Sequence, residues 1–210
     1  MYVPAAFRVD DAARLGEFIV RHSFATLVTQ EGGAPFASHL PMLFHAGEGA
    51  HGTLVSHMAR ANPQWRHFSE GREALAIFHG PHAYISPAWY QTHPAVPTWN
   101  YAVVHAYGTP RLIEDHDRIA ALLREMIQRH EAPRPDPWPG DLPEEYLGKM
   151  IQGIVAFEMP VLRVEGKFKL GQNRSAADLQ GVHEALAKSP SAEDRAVAEL
   201  MTREGHMHGV

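Results

Sequence analysis

Three short segments place side chains where they can act together. In Leu54-Val-Ser-His-Met-Ala-Arg60-Ala-Asn-Pro-Gln-Trp65 a strand runs into a polar turn and then a helix start. Ser56, His57 and Arg60 can converge on one anion, helped by backbone N–H groups at the turn. The forked guanidinium of Arg60 suits a phosphate better than an ammonium would. The competing reading is a capped helix with a solvated arginine and a hydrogen-bonded histidine, and the motif alone leans towards it. In Pro35-Phe-Ala-Ser-His-Leu-Pro-Met-Leu-Phe-His45, alternation sets Phe36, Leu40, Met42 and Phe44 on one face and His39, Leu43 and His45 on the other. Pro41 has no N–H to give a ladder, so this strand lies at an edge or breaks there. Its free backbone groups would suit a planar heterocycle, or Pro41 simply guards an edge. In Arg163-Val-Glu-Gly-Lys-Phe-Lys-Leu-Gly-Gln-Asn-Arg174, Lys167 and Lys169 share one face, and Phe168 and Leu170 the other. A solvated basic edge is the plain account, but Gly166 and Gly171 bracket the run and favour a close approach of backbone or ligand.

Composition narrows the chemistry. With no cysteine among 210 residues, thiolate metal sites, disulfides and cysteine nucleophiles are excluded. The fifteen histidines lie mostly between His22 and His105. His79 with His82, and His206 with His208, are close in sequence, yet no His-Glu-x-x-His spacing occurs. A net charge of −5 does not suggest a binder of phosphate backbones. The N-terminus lacks the basic and apolar regions of a signal peptide, and no apolar run is long enough to span a membrane, so a cytoplasmic protein is expected.

The elements that must hold these segments follow from periodicity. Leu15, Phe18, Ile19 and His22 share a helical face over Asp11–His22. Phe24–Gln30, Phe36–His45 and Thr53–Met58 alternate as strands between glycine-rich turns. Asn62-Pro63 begins a short helix that Gly71 ends. From Ala74 to Pro110 no residue is charged. Ala74–Ser86 and Thr98–Ile113 read as long strands, either central in the core or joined by a loop, Pro87–Pro97, that lies against a partner subunit or ligand, two readings of equal weight. Asp117–Glu131 is an amphipathic helix, prolines from Pro133 to Pro139 form a stiff connector, and a short helix spans Pro143–Gln152. Ile154–Leu170 is a last long strand. Ser175 and Ser191, each three residues before an aspartate, cap two final helices. The expectation is a single α+β domain over 1–210, mainly antiparallel, with a helical tail from about 175.

Several of these segments, taken in order, resemble one family. Met1-Tyr-Val-Pro, His22-Ser-Phe-Ala-Thr-Leu-Val, Ala37-Ser-His-Leu-Pro and Ser56-His-Met-Ala-Arg-Ala-Asn-Pro-Gln carry the likeness. Gly80-Pro-His-Ala-Tyr-Ile-Ser-Pro, Val96-Pro-Thr-Trp-Asn-Tyr and Lys167-Phe-Lys-Leu-Gly-Gln-Asn-Arg174 complete it. The chain resembles, from Met1 to about Leu186, the PaiB family of FMN-binding negative transcriptional regulators. Gly171 departs from the serine more usual there. The resemblance implies a split β-barrel, similar to pyridoxamine-phosphate oxidases, with FMN at the interface of a homodimer. It implies that Ser56, His57 and Arg60 hold the phosphate, that Met58 and Ala59 between them also belong to the cofactor site, and that the backbone of His39, Leu40 and Pro41 flanks the flavin ring. Trp99, Asn100, Lys169 and Gln172 would then come from the other subunit.

Three functions compete at this level. A flavin protein, acting as an oxidoreductase or not, fits the anion motif and the resemblance; no general base or nucleophile is identifiable. A direct DNA-binding repressor would have to use the C-terminal helix pair, whose second helix carries Glu193, Asp194, Glu199 and Glu204 and would be repelled by phosphates. A haem-binding split barrel is the third reading, since histidine is the commonest metal ligand.

Overall fold

The computed structural model describes residues 1–205, with the side chains of 69 and 70 left aside; His206 and His208 lie outside the described residues. The strands are β1 (Arg8–Val9), β2 (Phe24–Glu31), β3 (Ala34–Pro41), β4 (Leu43–His45), β5 (Thr53–Ala59), β6 (Ala74–Ile85), β7 (Thr98–Gly108), β8 (Arg111–Ile113) and β9 (Ile154–Lys169). The helices are α1 (Ala12–Arg21), α2 (His116–Glu131), α3 (Glu144–Gln152), α4 (Ala176–Ala187) and α5 (Ala192–Arg203). The strand order is β3-β2-β6-β7-β9-β5-β4, and β1 and β8 also pair with β9. The strand pairs with a described register are antiparallel, as expected.

Local chemistry explains most boundaries. Asn62 accepts from the Gln64 amide and Pro63 opens a 3-10 helix to Glu70, which closes on Gly71 in the left-handed region. Ser175 and Ser191 cap α4 and α5 by accepting from the amides of Asp178 and Asp194. Two expectations need correction. Thr98–Ile113 is not one strand: Thr109 and Pro110 separate β7 from β8, because Pro110 has no N–H to continue a ladder. Leu43 does not share the outward face of His39. The ladder lapses at Met42, the alternation restarts, and both Met42 and Leu43 are buried.

The chain contacts group into two compact units. One comprises Ile19–Phe78 and Ala106–Val164. Its core joins Leu43, Val55, Ile113 and Ala156 of the sheet to Ile119, Leu122 and Met126 of α2 and Ile151 of α3. Each such large side chain withdrawn from water contributes about 1.5–3 kcal/mol before entropy is counted. The other comprises Met1–Phe18, His79–His105 and the chain from Glu165 onward. There Phe18 meets Phe168 with ring centres 5.0 Å apart. Gly80 lies under Phe18 and Gly166 under Leu15, at 2.6 and 2.3 Å from where a Cβ would stand, so both are glycine for want of room. No described helix is long and apolar enough to cross a membrane.

Candidate functional site

The first two motifs lie together in the unit built on Ile19–Phe78. The Ser56 side chain, fully buried on β5, donates from Oγ to the Pro41 carbonyl at 2.6 Å. That bond fixes the end of β3 against the strand carrying His57 to Arg60. Leu40 and Met58 are buried in the core, while Ala59 is exposed and its carbonyl accepts from the Asn62 amide at 2.9 Å. His39 is exposed, its Nδ1 lying 3.0 Å from Thr26 Oγ1 and its ring stacked 6.4 Å from that of Phe24.

His57 is half-buried, and its Nδ1 is fully buried with no hydrogen-bond partner among the described residues. Burial holds its pKa below the ordinary histidine value of 6.5, so the ring is neutral at neutral pH. A neutral imidazole still donates from one nitrogen, and the orphaned Nδ1 marks a group waiting for a partner.

Arg60 is not simply solvated. Its Nε and one terminal nitrogen donate to the carbonyls of Gln152 and Ile154 at 2.8 and 2.7 Å. Its own amide donates to the Gly153 carbonyl at 2.9 Å. The guanidinium therefore docks where α3 turns into β9, and keeps further N–H groups for a ligand.

Beneath β2 and β3 lies a polar cluster that motif reading passed over. Gln64, completely buried, donates to the carbonyls of Leu27 and Phe36 and to Thr29 Oγ1. Buried His67 lies 2.8 Å from Thr29 Oγ1 through Nδ1 and 3.1 Å from a Glu31 carboxylate oxygen through Nε2. Asn62 also donates to Ser38 Oγ at 2.8 Å. A glutamine two residues into a helix that starts on Asn-Pro was the only sequence signal of this support.

The third motif and the charge-free stretch meet in the other unit. Trp99 is 53% exposed on β7, with the rings of His82 and Tyr84 beside it at 6.0 and 6.1 Å. Its neighbour Asn100 is buried. Lys169 donates from Nζ to Thr98 Oγ1 and to the Trp99 carbonyl. Burial, then the charges of Lys167 and Arg174, hold its pKa below the usual lysine range. Gln172 folds back on β9, donating to the Phe168 carbonyl and accepting from the Leu170 amide. Gly171, at φ +91°, adopts a conformation that a side chain would strain. The expected site residues thus form two groups: His39 to Pro41 with Ser56 to Arg60 in one unit, and Trp99, Asn100, Lys169 and Gln172 in the other.

Comparison with known proteins identifies the family and the fold. The family model described as "Putative FMN-binding domain" matches residues 1–163. The chain is 39% identical over 202 residues to the protease synthase and sporulation protein PAI 2 of Bacillus subtilis, covering 96% of each chain. It is 32% identical over 193 residues to an uncharacterised protein of Aspergillus fumigatus, covering 74% of each. Among solved structures it is similar to the FAD and haem binding protein of Mycobacterium smegmatis, with TM-score 0.58 at 16% identity, covering 82% of this chain and 78% of that one. It is also similar to a flavocytochrome of Azotobacter vinelandii, with TM-score 0.57 at 13% identity, covering 77% and 69%. At such identities these structures speak for the fold alone, a mostly antiparallel split barrel. The family match spans most of the chain, and the chain belongs to the FMN-binding domain family as a PaiB-type split-barrel protein whose cofactor is FMN.

Proposed function

We propose that the protein binds FMN across the interface of a homodimer and acts through flavin redox chemistry on a small molecule. The observation that carries this reading is the Ser56–Pro41 hydrogen bond, which sets the phosphate motif beside the backbone segment His39-Leu40-Pro41. The residues fit the cofactor. Neutral His57 has an unpartnered buried Nδ1, and Arg60 has unused donors on a guanidinium anchored at its other side. Ser56 holds the two strands together and orients the turn. His57 and Arg60 take the phosphate, and the backbone of His39 to Pro41 lies along the ring edge. Trp99, Asn100, Lys169 and Gln172 approach from the partner subunit. Bound FMN supplies one- and two-electron transfer, and the protein supplies orientation and exclusion of water.

The regulatory role that the PaiB resemblance implies is then indirect and cytoplasmic. Helix α5 is poorly suited to a DNA groove. It buries Val197, Leu200 and Met201, and two acids are engaged within the chain, Glu193 with His82 and, just past the helix end, Glu204 with Arg14. FMN titration followed by flavin fluorescence tests the reading, with oligomeric mass measured on the same sample. Saturable binding by a dimer is expected, and Arg60→Ala should weaken it about tenfold or more. A protein that takes up no FMN, or a haem Soret band without flavin, overturns the proposal; unchanged affinity in Arg60→Ala removes Arg60 from the phosphate site.

A further inference from the structure

Lys167 is an ammonium with unusual company. It stands near the end of β9 with only 9% of its surface exposed. Its Nζ lies 5.4 Å from the ring centres of both Tyr2 and Tyr101. Among the described residues no hydrogen bond or ion pair joins it to another group, and its ammonium stands over these two rings. Lys169 follows two residues later, anchored on Thr98 and the Trp99 carbonyl. Arg174 lies over the Tyr90 ring at 4.4 Å, likewise without a carboxylate among the described residues. Lys167, Lys169 and the Arg174 that follows β9 thus stand close together, and among the described residues none of the three is paired with a carboxylate; Glu165, two residues before Lys167, is held by the Met1 amino group. Cations that share a small patch repel one another, and an anion docking among them relieves that repulsion.

Beside this edge runs a groove of about 480 Å³ between β6 and β7, bordered by His79, Gly80, His82, Trp99, Tyr101 and Ala102. That volume falls within the roughly 300–1,000 Å³ of small-molecule sites. Its surface is mostly ring and methyl. The nearby carboxylate of Glu193 is already held by the His82 ring and amide at 3.2 and 3.1 Å. Tyr101 belongs both to the groove and to the surroundings of Lys167, and Trp99 both to the groove and to those of Lys169.

We propose that this groove binds a planar aromatic carboxylate, its ring against Trp99, His82 and Tyr101 and its carboxylate on Lys167 with Lys169. The inference names a substrate class for the flavin site and rests on the preceding reading for its redox role, though the binding itself needs only this unit. A ring without the anion would leave the ammonium groups unanswered. A small anion without the ring would leave the apolar floor wet.

The test titrates FMN-loaded protein with benzoate and with its neutral isostere benzamide, following tryptophan fluorescence and calorimetric heat. Benzoate should saturate, and benzamide should bind about tenfold more weakly, the worth of one charge-assisted hydrogen bond. Lys167→Met should erase that preference while FMN affinity stays at the wild-type value. Equal affinities, or no saturable binding of either probe because a second copy covers the groove, overturn the proposal. So does a parallel loss of FMN affinity in Lys167→Met, which would assign the ammonium to the cofactor. Should that variant fail to fold, the two probes on the unaltered protein still decide. Benzoate preference in a protein that takes up no FMN would refute the flavin reading and leave the groove assignment standing.

Discussion

Replacing Gly181 by alanine puts a methyl group where the chain has no room for it. Gly181 is in the middle of α4, where alanine ordinarily gains about 1 kcal/mol through helix propensity. A Cβ there would stand 2.2 Å from the Trp89 carbonyl oxygen, 0.8 Å inside the 3.0 Å that real Cβ atoms essentially never cross. The opposing atom is backbone and cannot swing aside. Its segment is pinned as well: Gln91 and Thr92 donate their amides to Asp178 at 2.8 and 2.9 Å, and Tyr90 lies under Arg174. Overpacking at a site that cannot relax costs about 1–3 kcal/mol. Taking the upper end and subtracting the propensity gain leaves a net loss of about 2 kcal/mol. For a chain of this size that lowers Tm by about 4–8 °C. Gly148→Ala in α3 is the control, since its Cβ meets nothing within 4 Å. It should raise Tm by about 2–4 °C. Thermal unfolding of both variants, followed by circular dichroism, measures the pair. If Gly181→Ala is as stable as Gly148→Ala, the close approach of α4 to the segment after β6 is refuted.

Other outcomes follow from single groups. Burial alone would raise the Asp178 carboxyl, but hydrogen bonds from Thr92, Gln91 and Ser175 outweigh it and hold the pKa below 3.8. Its contribution is therefore complete above that value and fades as pH falls through the lowered one. The Tm difference between the parent and Asp178→Asn should shrink on acidification below pH 3.8, and a difference independent of pH would contradict the assignment. His57 should titrate below 6.5 by NMR, and its depressed pKa means stability is lost as pH falls through the folded value. His57→Phe should lower FMN affinity roughly threefold to tenfold, the worth of one neutral hydrogen bond. Ser191→Ala should cost about 1 kcal/mol by removing the cap of α5, read in urea unfolding.

Features set by neighbours in sequence were open to reading from the sequence. Asn62, Ser175 and Ser191 cap the helices they were expected to cap, because a cap needs only the next three residues. The weak point at Pro41 was visible for the same reason: a missing N–H is a property of one residue. What followed it was not. Whether Leu43 faces in or out depends on how the chain re-enters the sheet after Met42, and Val55 decides that from the facing strand. Pro110 carried a comparable warning, hidden by the apolar run around it. Strand β1 has only two residues, too few for any periodicity, and exists because Gly166 leaves space for Val9. In the site, the types of Ser56, His57 and Arg60 suggested an anion. The anchoring of Arg60 on Gln152 and Ile154, over 90 residues away, left no local trace. Lys167 was visible as a charge, but its burial between Tyr2 and Tyr101 needs three distant segments at once.

The length and lateness of β9 set a schedule for making the protein. Arg8 pairs with Lys167, and Thr53 with Pro160, so both units draw a strand from a segment synthesised about 100–160 residues later. At roughly 5–20 residues per second, Arg8 waits about 10–30 s for its partner to leave the ribosome. Once β5 is made, the edge that will pair with β9 keeps its backbone N–H and C=O groups unpaired until β9 appears, an edge prone to pairing with other nascent chains. Such a protein gathers its non-local contacts late and folds slowly for its size. Variants that weaken β9 should therefore show themselves first as lost yield during synthesis, before any change appears in the purified molecule.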